Sequence, residues 1–335
     1  MVALPRTLHV DPADVTDEVI AWGNTVSGAL LDGDCGHFRV EGIDGLIGYR
    51  AGLRCAVVMG DPVCAEADKP RLAAAFRDWC RARGWTTVYV VTSEGFSRWA
   101  IDAGMAAVSF GEELVLDPMH DAQAGSTGRE LRKKINRAKK AGLAVSEYVP
   151  STLADHDLER AMEAVATSWL DARRGPQIYI ARLDLFGQPR GKRWFYARHG
   201  ERIVGALSMN RLDAREGWLI DHLVCTPDAP QGITEILVVE ALAALRKDGC
   251  RYATFGAAPG RSLGDVAGFG ALSEKLARAV FSGAGRVFHL DARTRYRQKF
   301  QAVRSDPAYI LFDPPSVGVR EVVGIMRAFN VSLRG

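Results

Sequence analysis

Apolar side chains recur along this chain with two periods that alternate. Over residues 69–83, Leu72, Ala75, Phe76, Trp79 and Cys80 return at helical spacing, and Gly84 ends the run. Residues 86–92, TTVYVVT, are β-branched or aromatic throughout and predict a buried strand. Upstream, residues 37–41, 45–50 and 55–60 are short apolar runs separated by glycine-rich turns, the pattern of an antiparallel meander. A helix near residues 14–30 precedes that meander, and the GDPV turn at 60–63 ends it. A short helix over 94–103 and a strand over 109–117 close the first half. The second half predicts a helix over 153–170, a Gly/Pro-interrupted loop over 173–188, and strands over 193–198, 202–209 and 217–225. A strong helix over 234–247 and a strand over 252–255 follow. The pattern then predicts a helix over 273–280, a strand over 286–290 and a final helix over 319–329.

Both halves thus share an order: helix, three-strand meander, helix, strand. A mixed sheet whose meander feeds a helix and a further strand is the arrangement of the acyl-CoA N-acyltransferase-like (GNAT-like) fold. The expectation is an α/β (α+β) chain of two such units in tandem, 1–125 and 146–335, the second catalytic, joined by a basic helix over 126–145.

That helix, TGRELRKKINRAKKAG at 127–142, changes the picture most. Seven cations (Arg129, Arg132, Lys133, Lys134, Arg137, Lys139 and Lys140) face one acid, Glu130, in a chain of net charge +3. Thr127 and Glu130 predict a capping box at its start, and Gly142 suits the position past its end. Leu131, Ile135 and Ala138 form one apolar stripe with most cations on the opposite arc. An anchored ridge of one sign points to a polyanion, RNA phosphates before anionic lipid. A solvated charged face is the plainer alternative.

At 335 residues, 47% hydrophobic and 25% charged, the chain has the composition of a soluble globular protein with room for two cores. No apolar run approaches the roughly 20 residues of a membrane span, and the first residues do not read as a signal peptide. The six cysteines lack CxxC spacing and the seven histidines do not cluster, so reduced thiols, a cytoplasmic setting and a metal-free mechanism are expected.

Among candidate chemical groups, Asp221 is the most informative. It lies in WLIDHLV, apolar enough to be covered on both faces, where a carboxylate requires partners. His222 would point to the opposite face of a regular strand and reads as a satisfied core histidine. Glu235 falls in the first turn of the following helix, where acids are ordinary, whereas Glu240 lies among apolar neighbours. The small residues around Gly256 in FGAAPG would let a ligand approach the backbone. Near the C-terminus, RTRYRQKF carries Arg297 and Lys299 beside aromatics, where a lysine could meet a carboxylate, phosphate or oxyanion.

Together these residues resemble the C-terminal domain of the phosphatidylglycerol lysyltransferases, the multiple-peptide-resistance-factor (DUF2156) family. The matching pieces are GDPV at 60–63, GEELVLD at 111–117, LRKKINRAKKAG at 131–142, SWL at 168–170, the Asp221 strand, PDAPQG at 227–232, FGAAP at 255–259 and YRQKF at 296–300. The resemblance runs from about residue 45 to 312. It implies transfer of an amino acid from the 3′ end of a tRNA to a hydroxyl acceptor, a lipid head group in that family, with aminoacyl-tRNA as co-substrate and no other cofactor. For that chemistry Asp221 would orient the α-ammonium or acceptor hydroxyl, and Lys299 with Arg297 would face an oxyanion or phosphate. Glu235, Glu240, Gly256 and Arg261 would contact substrate, and the seven cations of the ridge would hold the tRNA. Val224 stands where the family usually has an arginine, and Gly260 and Arg261 replace its usual Leu and Ser.

Phosphatidylglycerol-type lipid and a soluble natural-product intermediate both remain open as acceptors, and with the former a peripheral membrane contact. Two other functions stay in play. An acyl-CoA-dependent N-acyltransferase would need a Q/R-x-x-G-x-G/A pyrophosphate turn, of which TPDAPQGIT has only Gln231-Gly232. A non-catalytic RNA- or membrane-binding module would keep the fold alone.

Overall fold

The computed structural model describes residues 7–8, 15–150, 155–173, 180–287 and 290–331. The first half opens with β1 (Thr7–Leu8) and α1 (Thr16–Trp22), then the meander β2 (Gly36–Phe38), β3 (Gly45–Gly52) and β4 (Cys55–Met59), with a short β5 (Val63–Cys64). Next come α2 (Lys69–Arg81), β6 (Thr86–Thr92), α3 (Glu94–Asp102) and β7 (Ala106–Leu116). Every residue of β4 is buried, and α2 turns Leu72, Phe76 and Trp79 inward onto Phe38 and Tyr49. Asp61 of the GDPV turn accepts from the Ser93 amide at 2.9 Å and hydroxyl at 2.7 Å and pairs with Lys69 at 3.1 Å, which ties the starts of α2 and α3 together.

The second half begins with α4 (Arg129–Lys140) and β8 (Leu143–Tyr148), then α5 (His156–Asp171), β9 (Lys192–His199), β10 (Arg202–Leu212) and β11 (Gly217–Cys225). It continues with α6 (Ile233–Lys247), β12 (Ala253–Pro259), β13 (Val266–Ala267), α7 (Ala271–Val287), α8 (Leu290–Gln298), β14 (Arg304–Asp313) and α9 (Val319–Ala328). The strand expected over 286–290 is not formed: residues 286–287 end α7, residue 290 begins α8, and 288–289 lie outside the described residues.

The two halves repeat one plan. In the first, β4 runs parallel to β6 across α2; in the second, β11 runs parallel to β12 across α6. They do not form separate sheets. The strand order is β1-β2-β3-β4-β6-β14-β7-β12-β11-β10-β9-β8, so β14 of the second half enters the first between β6 and β7. By the same exchange β7 lies between β14 and β12. The expected boundary near residue 125 is therefore crossed twice, and α9 packs on β3 and β4 of the first half.

The basic helix also differs from the expected bridge. Its stripe Leu131, Ile135 and Ala138 is buried, as periodicity requires, but in the core of the second half with Phe195, Ile233 and Leu237. The capping box is absent, because Gly128 is the N-cap and the Thr127 hydroxyl donates to Gln301 at 3.0 Å. Gly142, at φ +84°, follows its C-terminus as expected.

Candidate active site and nucleic-acid interface

The first turn of α6 is the point where three distant stretches of sequence converge. Glu235 is 4% exposed, and its Oε1 accepts from Lys134 of α4 and from Lys299 after α8, each at 3.1 Å. Burial pushes the Glu235 carboxyl up, but the bonds and charges of the two lysines outweigh it and hold it below the usual carboxylate range. An acid that reads as ordinary helix-end chemistry is thus a buried carboxylate shared by two part-exposed lysines. α4 also closes over this helix start: Gly232, at φ +92°, leaves no room for a β-carbon, which would collide with the Lys134 carbonyl. A free helix N-terminus is suited to a phosphate group. Here a carboxylate and a neighbouring backbone take that place.

Beside this cluster the sheet opens. β11 and β12 pair only at Trp218–Ala253 and Leu219–Thr254 before they diverge. Phe255, Tyr296 and Phe300 pack together there, with the Lys299 ammonium 5.0 Å from the Tyr296 ring centre. Arg297 donates to the Gly256 carbonyl at 2.7 Å, so these two predicted residues do meet. Gly256 has φ +75°, where a side chain would be strained and would press on Thr25.

Asp221 lies on the other face of the sheet. Leu207 and Met209 of β10 and Ile220 of β11 belong to the core beneath α6, whereas Ala206 and Val224 pack towards α5. Ser208 and Asn210 alternate with Leu207 and Met209, so they share the α5 side. Asn210 donates to Asp221 at 2.8 Å. Asp221 and Lys299, expected at one centre, therefore flank the β11–β12 split from opposite faces.

The expected orientation of His222 is also corrected. Ser208 pairs with His222 but Met209 with Ile220, so Asp221 is the extra residue of a β-bulge. The bulge turns adjacent side chains to one side, and His222 Nδ1 lies 3.0 Å from Asp221 Oδ2 and 3.1 Å from Ser208 Oγ. Burial raises the Asp221 carboxyl, but His222, Lys192 and the Asn210 bond together bring it below its ordinary range. Lys192 is lowered by its burial, against the pull of Asp221, and donates to the Asp184 carbonyl at 3.2 Å. Sequence offered no signal for Lys192 or Asn210, since Lys192 lies on β9 and Asn210 on β10, and strand register alone brings the charge of one and the amide of the other to Asp221.

The ridge of α4 divides. Arg132 is folded back on the Gln123 and Gly125 carbonyls, and Lys134 is held by Glu235. Arg129, Lys133, Arg137, Lys139 and Lys140 are exposed. Arg137 touches the neutral Gln231 amide and Lys139 is 3.9 Å from Glu240. Glu240 is thus a half-exposed partner of α4 that stands apart from Glu235, and Arg261 lies on the exposed loop beyond β12. A cavity of about 570 Å³ between the halves, lined by Asn24, Thr25, Asp61, Ser93, Arg215 and Arg304, holds none of the predicted residues. Val91 on its wall has φ +59°, a strained conformation for a β-branched residue.

The profile of the family described as phosphatidylglycerol lysyltransferase, C-terminal, matches residues 21–312. An MprF-like domain protein of Mycobacterium tuberculosis is 27% identical over 299 residues, covering 86% of this chain and 60% of that protein. The lysylphosphatidylglycerol biosynthesis bifunctional protein LysX of Mycobacterium marinum is 26% identical over 293 residues, covering 83% of this chain and 26% of that protein. The chain thus spans less than two thirds of the length of either relative. Among solved structures, L-PGS from Bacillus licheniformis superposes with a TM-score of 0.79 at 19% identity, covering 96% of this chain and 97% of that one. A C-terminal DUF2156 domain from Agrobacterium fabrum gives 0.77 at 20% identity, covering 95% of each chain. These two share the fold.

Proposed function

The chain belongs to the phosphatidylglycerol lysyltransferase C-terminal family, and from that premise we propose that it is an aminoacyl-tRNA-dependent aminoacyltransferase with a hydroxyl acceptor of the phosphatidylglycerol type. The observation that carries this reading is the closure of α4 over the first turn of α6, with Lys134 and Lys299 on Glu235. It sets a cationic helix, suited to a nucleic-acid backbone, where a coenzyme A transferase keeps its pyrophosphate turn.

An aminoacyl ester is already activated, so transfer needs positioning, a proton acceptor and stabilisation of the tetrahedral oxyanion rather than a covalent enzyme intermediate. Ser208 is not a nucleophile of the Ser-His-Asp kind: it is fully buried and shares Nδ1 of His222 with Asp221. With Nδ1 held by the carboxylate, His222 Nε2 is the nitrogen left to take the acceptor's hydroxyl proton, and Asp221 fixes the tautomer. That proton returns to the departing 3′ oxygen of the tRNA. Lys299, on the α4 side, suits the phosphates of the tRNA 3′ end. The exposed cations Arg129, Lys133, Arg137, Lys139 and Lys140 hold the acceptor stem through its backbone. No cofactor beyond the charged tRNA enters this scheme.

The test is incubation with a mixture of radiolabelled aminoacyl-tRNAs, phosphatidylglycerol vesicles and a soluble metabolite extract. Label in the lipid fraction is the expected result. Label only in the soluble fraction would move the acceptor to a small molecule, and tRNA consumption without label transfer would remove the reading.

A further inference from the structure

Helix α7 is apolar on two sides. Ala277 and Phe281 face inward, into the core shared with β4, β6 and β7. Leu272, Leu276 and Val280 are exposed at 82%, 38% and 37%, three of the ten large hydrophobic side chains that stand out from the described residues. At 100° per residue these three, with Ala279 and Gly283, fall within one arc of about 100°, so they form a continuous stripe along the helix. An amphipathic surface helix buries its apolar stripe; this one buries a first stripe and presents a second.

No acid of this helix borders that stripe. Glu274 is the helix's only acid. It falls on the inward half of the wheel and pairs with Arg278 at 2.9 Å. Lys275 is exposed on the flank of the stripe, and Arg278 donates to the Leu263 carbonyl at 3.2 Å, which holds the loop carrying the exposed Arg261 and Asp265 against the helix. Aliphatic side chains edged by an exposed lysine, with the helix's acid turned inward and neutralised by Arg278, match the interface of an anionic bilayer.

We propose that α7 is a membrane-docking helix, which lies in the plane of an anionic lipid surface with Leu272, Leu276 and Val280 inserted at the level of the headgroups. The proposal goes with the lipid acceptor of the proposed function, but it is measured without tRNA or turnover, so its failure is distinguishable from failure of the transfer reading. The full chain is sedimented with phosphatidylglycerol–phosphatidylcholine vesicles and with pure phosphatidylcholine vesicles. We expect the wild type on the anionic vesicles only. The Leu272→Gln/Leu276→Gln variant, with an unchanged thermal melt, should partition about tenfold less. Lys133→Glu/Arg137→Glu in α4 should lower binding less than the leucine changes do. Wild-type-like binding by the glutamine variant, or no vesicle binding by the wild type, would overturn the proposal. So would loss of all binding through the α4 changes, or a wild-type dimer that the glutamine changes dissociate.

Discussion

Lys299 donates to Glu235 Oε1 across 3.1 Å, and through that bond the C-terminal basic cluster is fixed to the first turn of α6. Lys134 shares the same oxygen, so one buried carboxylate separates two ammonium groups. Glu235→Gln leaves the lysines facing a neutral amide and should cost about 2 kcal/mol of stability, the scale of a lost charge-assisted bond. The Glu235 carboxyl titrates below its ordinary range when folded. Its contribution is therefore complete above the unfolded value, about 4.3, and is lost as pH falls through the folded value. Melting curves from neutral to acid pH should show the wild type converging on the variant in that window. Parallel curves would show that the ion cluster adds nothing.

Asp221→Asn keeps an oxygen for Asn210 but loses the charge that sets the His222 tautomer. Stability should change by less than about 1 kcal/mol, while transfer falls by roughly 100-fold or more. His222→Gln should fall as far, with tRNA affinity unchanged by filter binding. Because both residues serve one proton transfer, the double variant should be no slower than the slower single one. Multiplying losses in single-turnover assays would show that the two act separately.

How much of this was legible in the sequence follows from the range of each signal. The apolar stripe of α4 was visible because Leu131, Ile135 and Ala138 repeat at the helical period, which survives any tertiary context. Where the stripe docks was not, since its partners Phe195 and Ile233 lie far along the chain. Asp221 stood out as a carboxylate in an apolar strand, but the bulge that turns His222 beside it depends on the register with β10. Glu235 was masked by a generic explanation, the helix dipole, that accounts for most acids in its position. The exchange of β7 and β14 leaves no local trace, because either pairing buries the same alternating residues.

Lys133 and Arg137 stand exposed on the outer arc of α4, with no carboxylate within salt-bridge distance among the described residues. Reversing both charges should weaken tRNA binding and reduce the slope of log K against log salt by about 1 to 2, for one or two lost phosphate contacts. The same slope for variant and wild type, measured by titration over a range of salt, would place the RNA elsewhere. Lys134→Gln is the informative contrast. Held by Glu235, it should alter the slope less and the thermal midpoint more.

Gly232 tests the closure of the two helices directly. Its φ of +92° already disfavours any side chain, and a β-carbon would run into the Lys134 carbonyl, which is backbone and cannot swing away. Gly232→Ala should thus force α4 off the start of α6, with a cost of about 1–3 kcal/mol. The displacement separates Lys134 from Glu235 while Lys299 keeps its own bond to that carboxylate. tRNA affinity should fall even though no cation has been removed. A pyrophosphate turn predicts a different pattern, because there the glycine would admit coenzyme A and α4 would play no part. Reduced tRNA binding together with a lowered melting temperature supports the closed helix pair. Intact tRNA binding alongside a lost response to acetyl coenzyme A would restore the acyl-CoA reading.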